Sequence, residues 1–214
     1  MSARSSLRSV LPLVLLAACS SKKGAPEADP ARVKALAKTM IANTPAPAGA
    51  PACKVEQFNG PGITSRSLIL LAENEMPKAA ERADWINPPE LDAPAVRAFL
   101  EAKDDTAKRE AAAAVLALKS IIVWRPETIG VPLAIGYKEL KRGAVSVRAI
   151  GYDAAGNVTC VAVFSFKNDK AVSDWAMEKS DKADVDPAIV KALQQDLRQQ
   201  LLGRIAAIRA GDEL

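Results

Sequence analysis

Two alternating stretches in the C-terminal half constrain the fold more than any other feature of the sequence. Residues 144–152 and 158–166 have a period of two, which is typical of strands that bury one face. Between them, Asp153 and Gly156 stand where a type I turn favours Asp at its first position and Gly three residues later. The pattern predicts an antiparallel β-hairpin over about residues 144–166. One face of its second strand would carry Val158, Cys160, Ala162, Phe164 and Phe166.

Two helices begin with an Asp-Pro pair, in which the aspartate caps the helix and the proline occupies its first position. The first is predicted over residues 30–42 behind Asp29, and the last runs from Pro187, behind Asp186, to about Gly211. Six residues of the last helix form a continuous apolar stripe: Ile189, Leu193, Leu197, Leu201, Ile205 and Ile208. The stripe favours core packing over a partner-binding or membrane-surface face, because the opposite face is rich in glutamine rather than in basic residues.

The segments between these elements predict short strands and helices. Strands are expected over residues 54–58, 64–72, 121–124 and 131–137, and helices over residues 92–102 and 106–118. Asp92 would cap the earlier helix, and Pro126 would end the strand at 121–124. The predicted fold class is α+β, with a small, mainly antiparallel sheet that packs against amphipathic helices and with a long C-terminal helix. We expect a single domain over residues 29–214.

The N-terminus has the three-part pattern of an export signal. Arg4 and Arg8 precede a short apolar run over residues 10–19, which ends in small residues. A membrane-spanning helix needs about 20 apolar residues, whereas this run is about half that length and contains Pro12. The pattern therefore predicts a signal peptide over residues 1–18 rather than a membrane anchor, and a plain secretory signal cut elsewhere is the alternative.

The end of this signal, Leu16-Ala17-Ala18-Cys19, resembles the lipobox of bacterial lipoproteins. The resemblance covers only the signal. It implies a lipid on Cys19, removal of the residues before it, and attachment to a membrane of the bacterial cell envelope. Ser20 is similar to the residue that follows the cysteine in outer-membrane-sorted lipoproteins, which implies an outer-membrane protein that faces the periplasm. Residues 19–28 are polar with Gly and Pro, and we expect them to form a flexible tether.

Two cysteines remain if Cys19 carries a lipid. Cys53 lies in a proline-rich stretch after the first helix, and Cys160 lies in the hairpin. An oxidising compartment permits disulfides, so their even number predicts a bridge between them. The alternative is a buried free thiol at Cys160 and an exposed one at Cys53.

The sequence contains no histidine. This absence excludes Ser-His-Asp, Cys-His and His-based zinc chemistries. Removing Arg4 and Arg8 with the signal leaves 27 basic residues against 25 acidic ones, a net charge of +2. Charges of both signs are interspersed, so we expect no nucleic-acid partner. No catalytic residue, metal ligand or cofactor site is predicted.

Three kinds of function remain open for the mature domain. The expected function is a non-catalytic binding or assembly module with an unidentified envelope partner. The alternatives are a carrier of an apolar ligand and an enzyme that works without histidine, through carboxylates or a Ser-Lys pair. A packed core, a large apolar cavity and a cleft with convergent polar groups would distinguish the three. The tryptophans, Trp85, Trp124 and Trp175, are predicted to pack in the core or an interface rather than to line a ligand site.

Overall fold

The structure is a computed structural model, and it describes five segments of the chain. These segments are residues 28–74, 86–130, 133–136, 139–179 and 187–211, with the backbone alone for 133–136, 139–141 and 177–179. The predictions for residues 1–18, Cys19, most of the tether, Trp85 and Asp186 lie outside them.

The described residues form an α+β fold, which confirms the predicted class. The α-helices are α1 (Pro30–Ala42), α2 (Ser65–Leu71), α3 (Pro94–Glu101), α4 (Asp105–Leu116), α5 (Lys170–Lys179) and α6 (Pro187–Arg209). The strands are β1 (Gly62–Thr64), β2 (Ser120–Gly130), β3 (Leu133–Gly136), β4 (Glu139–Lys141), β5 (Ala144–Asp153) and β6 (Val158–Lys167). The main sheet has the order β1-β2-β5-β6, in which only β1 and β2 are parallel, and β3 pairs with β4.

The predicted hairpin is confirmed as β5 and β6, with strand ends that differ from the prediction by one residue. The predicted face of the second strand is correct from Cys160 onward, but a register shift puts Val158 on the opposite face. The Asp153 carboxylate accepts hydrogen bonds of 2.9 Å from the backbone N–H groups of Ala155 and Asn157, and Gly156 has a positive φ of 83°. The hydrogen bonds from Asn157 hold the pKa of Asp153 below its usual value. The turn therefore forms through the local side-chain chemistry that its sequence indicates.

The first and last helices also form as predicted. Asp29 caps α1 by accepting a hydrogen bond of 2.8 Å from the N–H of Ala31. In α6, the whole predicted stripe is buried: Ile189, Leu193, Leu197, Leu201, Ile205 and Ile208. The stripe is therefore core, as the spacing of its residues predicts.

Helices pack on both faces of the main sheet. Helices α1 to α4 cover one face, where Ile121, Val123 and Ile150 are buried. Helix α6 covers the other face, where Trp124 and Val147 are buried. Strand β2 is consequently buried on both faces near its start, which explains its unbroken run of apolar residues.

The strand predicted over residues 64–72 is wrong, because β1 ends at Thr64 and the following residues form α2. The hydroxyl of Thr64 accepts a hydrogen bond of 3.2 Å from the N–H of Ser67 and caps the helix. Helical geometry then buries Leu68 and leaves Leu70 43% exposed. An apolar run of this length suits a buried strand or a helix, and the cap decides between them.

The strand predicted over residues 54–58 is also wrong. A 3₁₀ helix, Val55–Asn59, occupies this position. The side-chain oxygen of Gln57 accepts a hydrogen bond of 2.7 Å from the N–H of Lys54 and closes the turn. The turn places Phe58 in the core with no exposed surface.

Asp92 does not cap the helix predicted over residues 92–102, because α3 begins two residues later at Pro94. Its carboxylate instead accepts hydrogen bonds of 2.6 Å from the N–H of Thr64 and from the hydroxyl of Ser67. Tertiary contacts with the start of α2 therefore replace the local cap. The next helix, predicted over residues 106–118, is confirmed as α4.

Pro126 does not end its strand, and β2 continues to Gly130. The N–H of Ile122 donates to the carbonyl of Pro61, on the side of β2 where β1 lies. N–H groups two residues apart on one strand edge alternate with carbonyls and point the same way, so an N–H at the position of Pro126 would also point towards the β1 side. Strand β1 ends at Thr64, opposite Trp124, and the missing N–H therefore costs no ladder hydrogen bond.

Two further elements remain to be compared with the predictions. Part of the strand predicted over residues 131–137 is present as β3, and the rest of that range lies outside the described residues. Helix α5 has no counterpart among the predicted elements. The sequence feature that indicates the start of α5 is Asp169, whose carboxylate accepts a hydrogen bond of 2.8 Å from the N–H of Ala171.

Gly151 allows the close approach of β5 to the bridged cysteine on β6. A Cβ atom at this position would lie 2.6 Å from Sγ of Cys160 and 2.9 Å from Oγ1 of Thr159. We therefore expect Gly151→Ala to lower the free energy of unfolding by about 1–3 kcal/mol, measured by denaturant titration. The matched control is Gly203→Ala in α6, where an added Cβ meets nothing within 4 Å. Gly203→Ala should raise the free energy of unfolding by about 0.5–1 kcal/mol. Equal effects of Gly151→Ala and Gly203→Ala would contradict this account.

Candidate functional site

The predicted disulfide between Cys53 and Cys160 is present. The two Cα atoms are 4.7 Å apart, and the residues are 3% and 1% exposed. The backbone around Cys53 also pairs with the outer edge of β6, where Val161 donates to the carbonyl of Pro51 at 2.9 Å and accepts from Cys53 at 3.1 Å. The bridge therefore fixes a loop that shields part of this edge strand.

The core beneath α1 to α4 contains little empty space. Its cavity has a volume of about 10 Å³ and an apolar lining, which is formed by Val33, Leu36, Ala37, Met40, Ile63, Leu68, Leu71, Val96, Val115 and Ile121. Such a volume is about what one water molecule needs. This cavity is far too small for an apolar ligand, for which pockets of about 300 Å³ or more are usual.

The two tryptophans in the described segments have different environments. Trp124 is 2% exposed and packs with the rings of Phe58 and Phe164, so the prediction of core packing is confirmed for it. Trp175 is 41% exposed and therefore does not pack in the core, and its place in an interface stays a prediction. Its ring borders an open, mainly apolar groove of about 560 Å³ between α5 and α6, with Val172 on the same wall.

A buried polar cluster joins the start of α2 to the loop before α3. Its members are Thr64, Ser67 and Asp92, which are 1%, 5% and 5% exposed. The hydroxyl of Ser67 donates to the Asp92 carboxylate, and the hydroxyl of Thr64 donates to Ser67 at 3.1 Å. These groups satisfy one another inside the protein, so the cluster stabilises the helix start and is inaccessible to a substrate.

The helical layer leaves part of one sheet face uncovered, and this part is the candidate functional site. We call it the open sheet face, and its residues are Arg125, Thr128, Ser146, Arg148, Val163 and Ser165. They lie on the same face as the buried Val123 and Ile150, beyond the end of α1. Val163 is 54% exposed. In this part of the described structure the sheet surface is polar, whereas the neighbouring half of the same face makes apolar contacts with the helices.

Strand register places the two arginines side by side. Arg125 pairs with Arg148, which pairs with Val163, and the adjacent row consists of Thr128, Ser146 and Ser165. Side chains that are directly opposite on neighbouring strands have Cβ atoms about 4.5–5.5 Å apart. The open sheet face therefore presents two guanidinium groups and a row of hydroxyls to solvent.

Each arginine has one described contact with the protein. Nη1 of Arg125 donates to the carbonyl of Thr44 at 2.8 Å. Nε of Arg148 lies 2.9 Å from Oε1 of Glu127, although the pair lacks the alignment of a hydrogen bond. Burial raises the pKa of the nearby Tyr152 phenol above its usual value of 10.0, while its hydrogen bond with Thr44 and the charge of Arg125 oppose this effect.

Neither arginine was among the candidate residues of the sequence. The alternation within residues 144–152 places Arg148 and Ser146 on one face, and this signal is visible in the sequence. The position of Arg125 beside them depends on the pairing of β2 with β5, which no local pattern specifies. Cys19 lies outside the described residues, so the structure brings only the cysteines of the bridge together.

Comparison of the chain with protein-family models, with curated proteins and with solved structures found no match. Among the helices of the described segments, none combines the length and the apolar character that a membrane crossing requires. Within those same segments, no group of three or more Cys, Asp or Glu side chains is placed to hold a metal ion.

Proposed function

We propose that this chain is a bacterial cell-envelope lipoprotein that a lipid on Cys19 anchors to the outer membrane, facing the periplasm. The observation that carries the proposal is Leu16-Ala17-Ala18-Cys19 at the end of an export signal. The disulfide between Cys53 and Cys160 supports it, because disulfides persist in exported proteins and are rare in the cytosol.

We propose further that the folded domain is a non-catalytic module that binds a partner or ligand at its surface. The packed core beneath α1 to α4 supports surface binding over the carrier alternative. The enclosure of Ser67 and Asp92 supports it over an enzyme that would use this cluster. The open sheet face offers accessible polar groups and is the binding surface that we favour.

The anchor would hold this domain close to the bilayer. Helix α1 begins at Pro30, and about ten residues separate it from Cys19. A flexible linker of this length has a root-mean-square span of about 15–20 Å. A ligand of the module would accordingly lie within a few tens of ångströms of the membrane surface.

Changing Cys19→Ser tests the anchor. The variant should lose lipid labelling and should either remain unprocessed or appear in the aqueous fraction, because the acyl chains supply the membrane affinity. Fractionation of envelopes with and without detergent, together with metabolic labelling by a radioactive fatty acid, measures this outcome. Ser21→Ala is the matched control and should remain membrane-bound and labelled. A processed Cys19→Ser protein that still requires detergent for extraction would contradict the anchor.

Affinity purification tests the binding module. The tagged protein is extracted from membranes in an uncharged detergent, and co-purifying molecules are identified. We expect a specific envelope component that is lost when the open sheet face is changed by Arg125→Gln together with Arg148→Gln. A component whose recovery is unaffected by that double change would place the binding surface elsewhere.

A further inference from the structure

We propose that the open sheet face binds an oxyanion, a phosphate or carboxylate group of a ligand, between Arg125 and Arg148. The inference rests on the proposed function, because it names the ligand chemistry of the binding module. It is carried by the geometry of the two guanidinium groups and by their excess of positive charge over Glu127, the one acidic side chain in contact with them among the described residues.

The first argument is the pairing of like charges. Arg125 and Arg148 lie directly opposite each other on neighbouring strands, an arrangement that destabilises a sheet. Glu127 is the only acidic group that contacts the pair in the described residues, and it contacts Arg148. The three side chains therefore carry a net charge of +1. An anion between the guanidinium groups would remove their repulsion.

The second argument is that both arginines are accessible to solvent and therefore to a ligand. Arg125 is exposed, and the Arg148 side chain is 31% exposed. An ion pair with this much solvent access stabilises a protein by at most about 1 kcal/mol. The Arg148–Glu127 contact thus contributes little to stability, so a ligand could compete for Arg148 at a small cost.

The third argument is the set of hydrogen-bond donors. A guanidinium presents several N–H groups in a planar fork that matches carboxylate and phosphate oxygens. Thr44 occupies one nitrogen of Arg125, and the remaining nitrogens have no partner among the described residues. The hydroxyls of Ser146 and Ser165 lie in the next row, and Val163 offers an apolar contact for the body of a ligand. Hydrogen-bond donors with an exposed apolar side chain beside them suit a small organic oxyanion.

The test measures specific stabilisation by oxyanions. The full-length protein, extracted in an uncharged detergent, is unfolded thermally in sodium phosphate, sodium acetate and sodium chloride at equal ionic strength. A ligand that binds only the native state raises the midpoint temperature. We expect phosphate, acetate or both to raise the midpoint relative to chloride, and the stronger response identifies the ligand group. Arg125→Gln and Arg148→Gln should each abolish this rise.

Arg97→Gln is the matched control, because it removes one exposed arginine from α3, away from the sheet. It should retain the full response to the oxyanion. If Arg148→Gln does not fold, Arg148→Lys keeps the positive charge without the planar fork, and titration calorimetry should show binding weaker by about tenfold.

An equal midpoint rise in Arg97→Gln, Arg125→Gln and Arg148→Gln would overturn the inference. The rise would then come from the overall charge of the protein and not from anion binding at this site. The absence of any oxyanion response in the unaltered protein would overturn it as well. These outcomes leave the anchor untouched, because Cys19→Ser fractionation measures the anchor independently. A failed anchor with intact oxyanion binding would refute the envelope location and retain the site.

Discussion

Replacing Cys53 and Cys160 together by alanine is expected to lower the free energy of unfolding by about 2–5 kcal/mol. The bridged residues are 107 positions apart. For a loop of this size the chain-entropy model gives about 4–5 kcal/mol, which native-state strain would reduce. The loss is comparable with the lower end of the stability of a whole domain, about 5 kcal/mol. We therefore expect the variant to be partly unfolded under mild conditions.

Denaturant titration of the oxidised protein and of the variant measures this loss. The unaltered protein should contain no free thiol at Cys53 or Cys160 when it is titrated under denaturing, non-reducing conditions. A reductant without denaturant should act slowly, because both cysteines are buried. Two free thiols in protein purified without reductant, or an unchanged unfolding midpoint in the variant, would refute the structural role of the bridge.

Leu197→Ala is expected to lower the free energy of unfolding by about 2–5 kcal/mol. Leu197 has no exposed surface and belongs to the core between α6 and the sheet, which also contains Trp124 and Val147. Removing its side chain loses buried apolar contacts and leaves a cavity that the surrounding rings cannot fill without moving. Thermal and denaturant unfolding monitored by circular dichroism measure the effect.

Leu202→Ala is the matched control in the same helix. Leu202 is only partly buried at the margin of this core, so Leu202→Ala should lower the free energy of unfolding by about 1 kcal/mol or less. Equal losses for Leu197→Ala and Leu202→Ala would contradict the packing of the α6 stripe on the sheet.

Local signals predicted the elements that need no distant partner. The hairpin forms because Asp153 and Gly156 close its turn, and α1 forms because Asp29 caps it. The burial of the α6 stripe followed from its spacing. The pairing of Cys53 with Cys160 followed from parity once Cys19 was assigned to the lipid. Each of these predictions depends on a few neighbouring residues or on a count.

Local side-chain caps and distant contacts both decided the elements that the sequence predicted wrongly. The apolar run over residues 64–72 suits a strand or a helix, and the Thr64 cap selects the helix. The carboxylate of Asp92 was available to cap its own helix, but Thr64 and Ser67 lie close enough in space to bind it. The Thr64 cap acts three residues along the chain, whereas the partners of Asp92 lie 28 and 25 residues away, and periodicity encodes neither kind of contact.

The sequence by itself determined the class of fold and the residues of both terminal helices, because capping and periodicity depend on residues that are close together in the chain. The candidate site could be identified only from the tertiary structure. Arg125 lies opposite Arg148 because β2 pairs with β5 in one register, and both side chains reach solvent because the helical layer ends before them. Register and layer coverage depend on how distant segments pack, so a site composed of neighbouring strands emerges only when the chain is folded.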